Sequence, residues 1–230
     1  LITKDVNNKE WKANFDANLF SNQISIDFIN FLKPVNKRGS IAGTIYFDGL
    51  NLIKVDQLNL VTEELLVSSN ILFKDQNRLE SIFIERFIKD KNNFKANIKF
   101  LESGYSLINV EGESLDFKNF IRFGEGALSN ITFKLDVDNV YYNDIYFGKT
   151  FIESQFINNQ ITELSGNISN DNNIYIRFSN KLDKNSEYNK LNIEFDDFGY
   201  FLKKSSLSDT FLEGKGNATL KFKKLNLLSG

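Results

Sequence analysis

The residues of this chain that could do chemistry are almost all carboxylates and tyrosines. Asp196-Asp197, Asp136 with Asp138 and Asp144, and Tyr141-Tyr142 with Tyr146 are the groupings that stand out. Adjacent carboxylates suggest a general acid/base pair or a corner for a hard cation. A glycosidase, however, needs two carboxyl groups facing each other across ~5–9.5 Å, which sequence neighbours do not readily supply. The bland reading of Asp196-Asp197 is a helix start, with Asp197 as N-cap and Gly199 easing the first turn. Asp136, Asp138 and Asp144 lack the glycine of a calcium loop and fit the solvent face of a strand. The tyrosines read as cross-strand partners, with a carbohydrate surface as the rarer alternative. The chain has no His and no Cys, which removes the usual general base, the acyl-transfer triad, thiolate chemistry and Cys-type metal sites. Gly214-Lys215-Gly216 precedes a strand rather than a helix, so it is not a phosphate loop. These observations predict no enzymatic activity, no metal and no cofactor.

The elements that hold these residues follow from a period-two pattern. Trp11, Ala13, Phe15, Ala17 and Leu19 alternate with polar residues, and Ile24, Ile26 and Phe28 continue the series to the single proline, Pro34. Further strands are expected at 41–47, 56–61, 65–73, 79–87, 94–101, 105–110, 130–137, 140–147, 150–157, 161–168, 174–178, 191–195 and 218–222, joined by Asn, Asp and Gly turns. Only Leu115–Ile121, with Asp116 as N-cap, and Asp197–Lys204 look helical, each about two turns. Crossover helices long enough for parallel pairing are missing, so the strands should form an antiparallel meander. About fifteen strands, each rotated ~20–25° from its neighbour, cannot stay flat. They must coil, close into a barrel or split into a sandwich.

Composition narrows the partners. The chain has 230 residues, 28 basic and 30 acidic, and a net charge of −2. The mixing of charges argues against nucleic acid, which requires a concentrated basic face. With 23 Phe and no Met, it is too apolar for disorder and reads as a piece of a longer chain. No apolar run approaches the ~20 residues of a membrane-spanning helix. Leaving one Phe or Ile in water costs roughly 1.5–3 kcal/mol, so an apolar sheet face this large must be covered. A sandwich or barrel would cover the face with itself, whereas an open gutter would suit an acyl chain. Alternation alone leaves both readings standing. Under the second, the lining set is Phe15, Ile24, Ile26, Phe28, Ile45, Phe47, Leu58, Leu60, Ile71, Phe73, Phe94, Ile98, Phe100, Ile131, Phe133, Leu135, Ile174, Ile176, Phe178, Leu191, Ile193 and Phe195.

Leu191–Leu220, LNIEFDDFGYFLKKSSLSDTFLEGKGNATL, resembles a recurring motif of the AsmA-like envelope proteins of Gram-negative bacteria, especially the YhdP and TamB branches. There a strand ending in Asp-Asp-x-Gly leads into a short helix, a Gly-rich turn and another strand. Asp196, Asp197, Gly199, Phe201, Leu202, Leu207, Gly214 and Gly216 fall on that pattern, with Gly-Lys-Gly in place of the usual Gly-Gly. Val110–Ile121, VEGESLDFKNFI, resembles the family's strand–Gly-x-Ser-Leu-Asp–helix element. The resemblance implies an all-β fold: a long, strongly twisted, mostly antiparallel sheet curled into an open hydrophobic groove. Residues 1–230 would be a single repetitive segment of it. It further implies a periplasmic conduit carrying phospholipid between the inner and outer membranes. Such a conduit would be anchored in the inner membrane by a segment not in this chain and would meet a partner protein at the outer membrane. The competing reading is a structural or adhesive β-sandwich or β-solenoid of the envelope without lipid transport.

Overall fold

A computed structural model describes residues 2–4, 10–119, 130–142, 145–158, 160–170, 173–181, 188–204, 206–210 and 214–223. The chain divides into two compact units, 1–101 and 102–230. Both are built from strands, and the one α-helix among the described residues has seven residues.

In the first unit the strands are β1 (Ile2–Lys4), β2 (Glu10–Asn18), β3 (Ile24–Ile26), β4 (Phe31–Lys33), β5 (Gly39–Asp48), β6 (Asn51–Thr62), β7 (Leu65–Lys74), β8 (Arg78–Lys89) and β9 (Asn92–Phe100). All pair antiparallel. The main sheet runs β1-β2-β5-β6-β7-β8-β9, and β3 and β4 form a separate two-stranded ribbon. Residues 24–28 were expected to extend the main alternation. Instead β3 stops at Ile26, a 3₁₀ turn covers Asp27–Ile29, and Asn30 in the left-handed region (φ 48°) turns the chain back into β4. The ribbon leaves the sheet where β2 ends and returns where β5 begins. It carries the buried Ile29, Phe31 and Lys33. Burial on the main sheet concentrates at that same end, at Leu65, Phe87 and Asn92.

The second unit contains β10 (Tyr105–Asp116), β11 (Asn130–Tyr142), β12 (Ile145–Ile157), β13 (Gln160–Asn170), β14 (Asn173–Lys181), β15 (Tyr188–Phe195), α1 (Phe198–Lys204) and β16 (Gly216–Lys223), with the strands paired in chain order. Neither unit joins its first strand to its last, so neither sheet closes into a barrel. Three expectations need correction. Val140–Phe147 is not a strand: Asn143-Asp144 separates two 13-residue strands, β11 and β12, that pair antiparallel. And β10 pairs with β11 in parallel, from Tyr105↔Asn130 to Asp116↔Tyr141. A parallel pair needs a connection of about a dozen residues but not a helix; residues 117–129 provide that length. Of the expected helix at 115–121, Leu115 and Asp116 instead end β10, and a 3₁₀ turn, Phe117–Asn119, follows. Phe120 and Ile121 lie outside the described residues. Asp116 still caps, its Oδ1 accepting the Lys118 N–H at 3.0 Å.

Bulges punctuate the ladders and add twist and bend to the strands that carry them. Gln57 (φ 52°) is the extra residue of β6, and Glu85 sits at the register shift of β8. Asn70 on the intervening β7 links both: its Oδ1 accepts the Gln57 N–H at 2.8 Å and its Nδ2 donates to Glu85 Oε1 at 2.7 Å. Asn139 does the same in the second unit, at the register shift of β11. It donates to the Glu113 carbonyl of β10 at 2.9 Å and accepts the Tyr146 hydroxyl of β12 at 3.1 Å. Asn70→Ala should therefore lower unfolding free energy by about 0.5–1.5 kcal/mol per lost bond, measured by urea denaturation. Gln57→Ala, which keeps the backbone donor, should leave the Asn70 bond in place and change stability less.

Candidate functional site

Cross-strand partners share a face of a sheet, so the register shows which side chains lie together. In the first unit Trp11, Ala13, Phe15 and Ala17 stand opposite Phe47, Ile45, Gly43 and Ile41. Through the following ladders that face continues to Leu58, Leu60 and Val55, then Val67, Ile71 and Phe73, then Ile82, Ile84 and Phe87, and finally Phe94, Ala96 and Ile98. In the second unit Ile131, Phe133, Leu135 and Val137 lead by the same logic to Ile152 and Phe156, to Leu164 and Ile168, to Ile176 and Phe178, and to Leu191, Ile193 and Phe195. Each unit thus has one apolar face. The opposite face carries the ion pairs Lys134–Glu153 at 3.0 Å, Lys149–Asp138 at 3.2 Å and Arg177–Asp196 at 2.5 Å.

Each apolar face is sealed at one end. In the first unit burial is deepest at the end carrying the β3–β4 ribbon. The Lys33 ammonium there is solvated by the Asn22 and Pro34 carbonyls at 2.8 and 3.1 Å. In the second unit α1 supplies Tyr200 and Phe201, which pack with Phe147, Phe178, Ile193 and Phe195 around the buried Ile168 and Ile176. Helix α1 is set by the Asp-Asp-x-Gly segment. Asp197 Oδ1 accepts the Tyr200 N–H at 2.8 Å, and the Gly214 carbonyl accepts the Phe198 N–H at 2.7 Å. Gly214 has φ 155°, a conformation other residues rarely adopt. Away from the sealed ends the lining is only half-buried. Trp11 closes the first face, stacked on Phe47 with ring centroids 4.0 Å apart, its indole N–H on the Gly49 carbonyl.

Glycines set the depth of both faces. Phe15 lies over Gly43, where a Cβ would come within 2.9 Å of its ring, and Phe178 lies over Gly166 at 2.6 Å. At Gly166 an added Cβ would also run into the Phe151 carbonyl oxygen, which is backbone and cannot move aside.

Among the residues expected to line a groove, Phe15, Ile45, Phe47, Leu58, Leu60, Ile71, Phe73, Ile98 and Phe100 lie half-buried in the first unit, as do Ile131, Phe133, Phe178, Leu191, Ile193 and Phe195 in the second. Phe94, Leu135 and Ile176, at 8%, 0% and 4% exposure, are sealed core instead. Ile24 and Ile26 belong to the β3–β4 ribbon, not to the main sheet. Phe28 is in the 3₁₀ turn and Ile174 in β14, and the side chains of both lie outside the described residues. The expected lining omitted Val55, Val67, Ile82, Ile84, Ile152 and Leu164; bulges that switch the inward parity account for Val55 in β6 and for Ile82 and Ile84 in β8, whereas Val67, Ile152 and Leu164 keep the regular alternation of their strands. In the lining next to Leu191, Asn180 carries a buried amide whose nitrogen and oxygen have no hydrogen-bond partner.

The groupings that could have been catalytic are divided among separate tasks. Asp196 pairs with Arg177 while Asp197 caps α1. Asp136 and Asp138 both approach Lys149, at 3.9 and 3.2 Å, and Asp144 lies outside the described residues. Tyr141 and Tyr146 are cross-strand partners with rings 5.3 Å apart. Among the described residues no group of three His, Cys, Asp or Glu side chains could hold a metal ion. No family model, curated protein or solved structure matches the chain.

Three outcomes follow from this geometry. Asp197→Ala should cost about 0.5–2 kcal/mol of stability, as other caps do, measured by thermal or urea unfolding. Gly166→Ala should destabilise by roughly 1–3 kcal/mol, the range for overpacking a tight site. Gly43→Ala should cost less, because only the tip of Phe15 must yield. The hydrogen bond from Lys149 to Asp138, helped by the charges of Asp138 and Asp136, holds the ammonium pKa above its usual value. The pair's contribution should therefore persist below the ordinary lysine range and fade as pH rises through the raised pKa. In Asp138→Asn, NMR titration of the Lys149 ammonium should show the pKa falling back.

Proposed function

We propose that the chain is a segment of a lipid conduit in which the half-buried apolar faces solvate acyl chains while head groups stay in water. The observation that carries this reading is the continuity of one apolar face from β2 through β9 in the first unit and from β11 through β15 in the second, covered among the described residues only at one end, by the β3–β4 ribbon or by α1. A β-sandwich module would pair such faces about 10 Å apart. Half-buried Phe15 and Phe133 suit a nonspecific apolar ligand, because the lining offers area and few directional groups. The absence of His and Cys, together with carboxylates committed to ion pairs and a helix cap, supports a non-enzymatic role. The resemblance of Leu191–Leu220 and Val110–Ile121 to AsmA-like proteins adds a setting. That setting is the periplasm of a Gram-negative cell, with phospholipid moving between two membranes, an anchor in the inner one and a partner protein at the outer one.

Native mass spectrometry after gentle purification should show co-purified phospholipid. Phe133→Asp should remove bound lipid and leave cooperative unfolding intact, since its side chain is only half-buried. Ile176→Asp should instead unfold or strongly destabilise the second unit, because the new carboxylate would be buried among Phe178, Ile193, Phe195 and Phe201 without a partner. A chain that stays soluble, monomeric and lipid-free, with Phe133→Asp indistinguishable from wild type, would overturn the conduit in favour of a structural envelope module.

A further inference from the structure

Where β2 ends and β5 begins, the polar face of the first unit carries a cleft of about 570 Å³. Sites for small organic molecules commonly enclose ~300–1,000 Å³. Its floor spans three neighbouring strands: Ser40 of β5 stands between Asn18 of β2 and Val61 of β6. Gly39 and Ser40 keep that floor low, and Phe20 and Val61, 46% and 42% exposed, supply the apolar surface. Phe20 is fixed through its own backbone. Its N–H donates to Asn18 Oδ1 at 2.8 Å, and its carbonyl accepts the Asn36 N–H at 2.7 Å. The aromatic wall is therefore preformed.

The polar groups around the cleft are unevenly committed. Glu63 Oε2 takes the Lys37 ammonium at 3.3 Å, and the same carboxylate accepts the Arg38 backbone N–H. The Thr62 hydroxyl accepts the Glu64 and Leu65 N–H groups at 3.2 and 2.9 Å, and Asn18 Oδ1 is taken by Phe20. What remains are donors: two N–H groups on the Asn18 amide and five on the Arg38 guanidinium. Among the described residues that guanidinium has no hydrogen-bond or ion-pair partner, and it acts on Glu63 only through its charge. Donors left over beside an apolar wall suit an anion that carries an apolar body.

We propose that this cleft binds a small organic carboxylate with a compact apolar body. The carboxylate would meet Arg38, whose planar fork matches its two oxygens, with the Asn18 amide as a second donor. The body would lie over Ser40, between Phe20 and Val61. Asn18, Ser40 and Val61 share the face opposite Ala17, Ile41 and Leu60. The site is thus separate from the apolar lining, and co-purified lipid neither supports nor opposes it.

The test titrates the 230-residue chain with 3-phenylpropanoate and follows the backbone amides by NMR. Saturable shifts should appear at Asn18, Phe20, Arg38, Ser40 and Val61, and binding should weaken with added salt. Arg38→Gln should weaken binding roughly 10- to 100-fold, the loss of hydrogen bonds to a charged group. Arg38→Lys keeps the charge but not the fork, and its affinity should fall between the two. Ser40→Leu, at an exposed strand position, should fill the floor and abolish binding while thermal unfolding stays cooperative. 3-Phenylpropanamide and 3-phenylpropylamine should not bind. Acetate, which has no body to bury, should bind at least roughly tenfold more weakly. Equal binding of the amide, or wild-type affinity in Arg38→Gln, would overturn the proposal. Equal binding of acetate would also overturn it, leaving a bare anion contact on Arg38. So would the absence of saturable shifts, or shifts confined to the apolar face around Phe15 and Phe47, which would place the probe in the lining instead.

Discussion

An antiparallel sheet with one apolar face has to keep that face from water, and this architecture answers that demand with short covering pieces of chain. The period-two alternation places most of the Phe, Ile and Leu of the main strands on one side of the sheet, and each exposed side chain of that size costs about 1.5–3 kcal/mol. Both units respond in the same way. A short piece of chain leaves the meander between two paired strands, folds over one end of the face and returns. In the first unit it is the β3–β4 ribbon, with Ile29 and Phe31 buried; in the second it is α1, with Phe201 against the Ile168–Ile176 cluster. The two pieces differ in secondary structure and sequence, so the shared feature is the position of the insertion and the surface it covers.

The polar side is organised by different forces. Its ion pairs are solvent-exposed, and each is worth little alone. The more structural polar groups are Asn70 and Asn139, which satisfy backbone or side-chain groups left over at bulges. A bulge interrupts the ladder, and an amide that offers both a donor and an acceptor can bridge the strands on either side. The outer face therefore controls bending through a few amides, while the inner face supplies the apolar area.

The fold class was legible because alternation is a local property of each strand. Trp11–Ala17, Phe94–Phe100 and Ile131–Val137 read as strands without reference to their neighbours. The helix at 198–204 was legible for a similar reason: Asp197 acts on the turn that immediately follows it. What was not legible depends on pairing. The parallel step from β10 to β11 leaves no mark in either strand, and the division of 130–157 into two long strands rested on a dipeptide, Asn143-Asp144, inside an otherwise regular alternation. The candidate lining was recoverable only between bulges. In β8 the inward positions pass from Leu79 to Ile82 and Ile84, then to Phe87 and Lys89, so any fixed parity loses half of them. Sealing was also invisible in sequence, because Ile176 and Ile193 are chemically alike and only α1 distinguishes them.

The two phenylalanine–glycine contacts bear on how such a chain finds its alignment. Where inward positions are nearly all Ile, Leu or Phe, sliding one strand along its neighbour by two residues returns apolar groups to apolar groups, and the mispaired form is nearly degenerate with the native one. Phe15 over Gly43 and Phe178 over Gly166 break that degeneracy. A two-residue slip would set Phe15 against Ile41 or Ile45, and Phe178 against Leu164 or Ile168, with no hollow to receive the ring. Each glycine thus acts as a keyway cut for one aromatic tooth. One such key in each unit gives a repetitive β-chain a means of rejecting the misaligned sheets that its own regularity would otherwise permit.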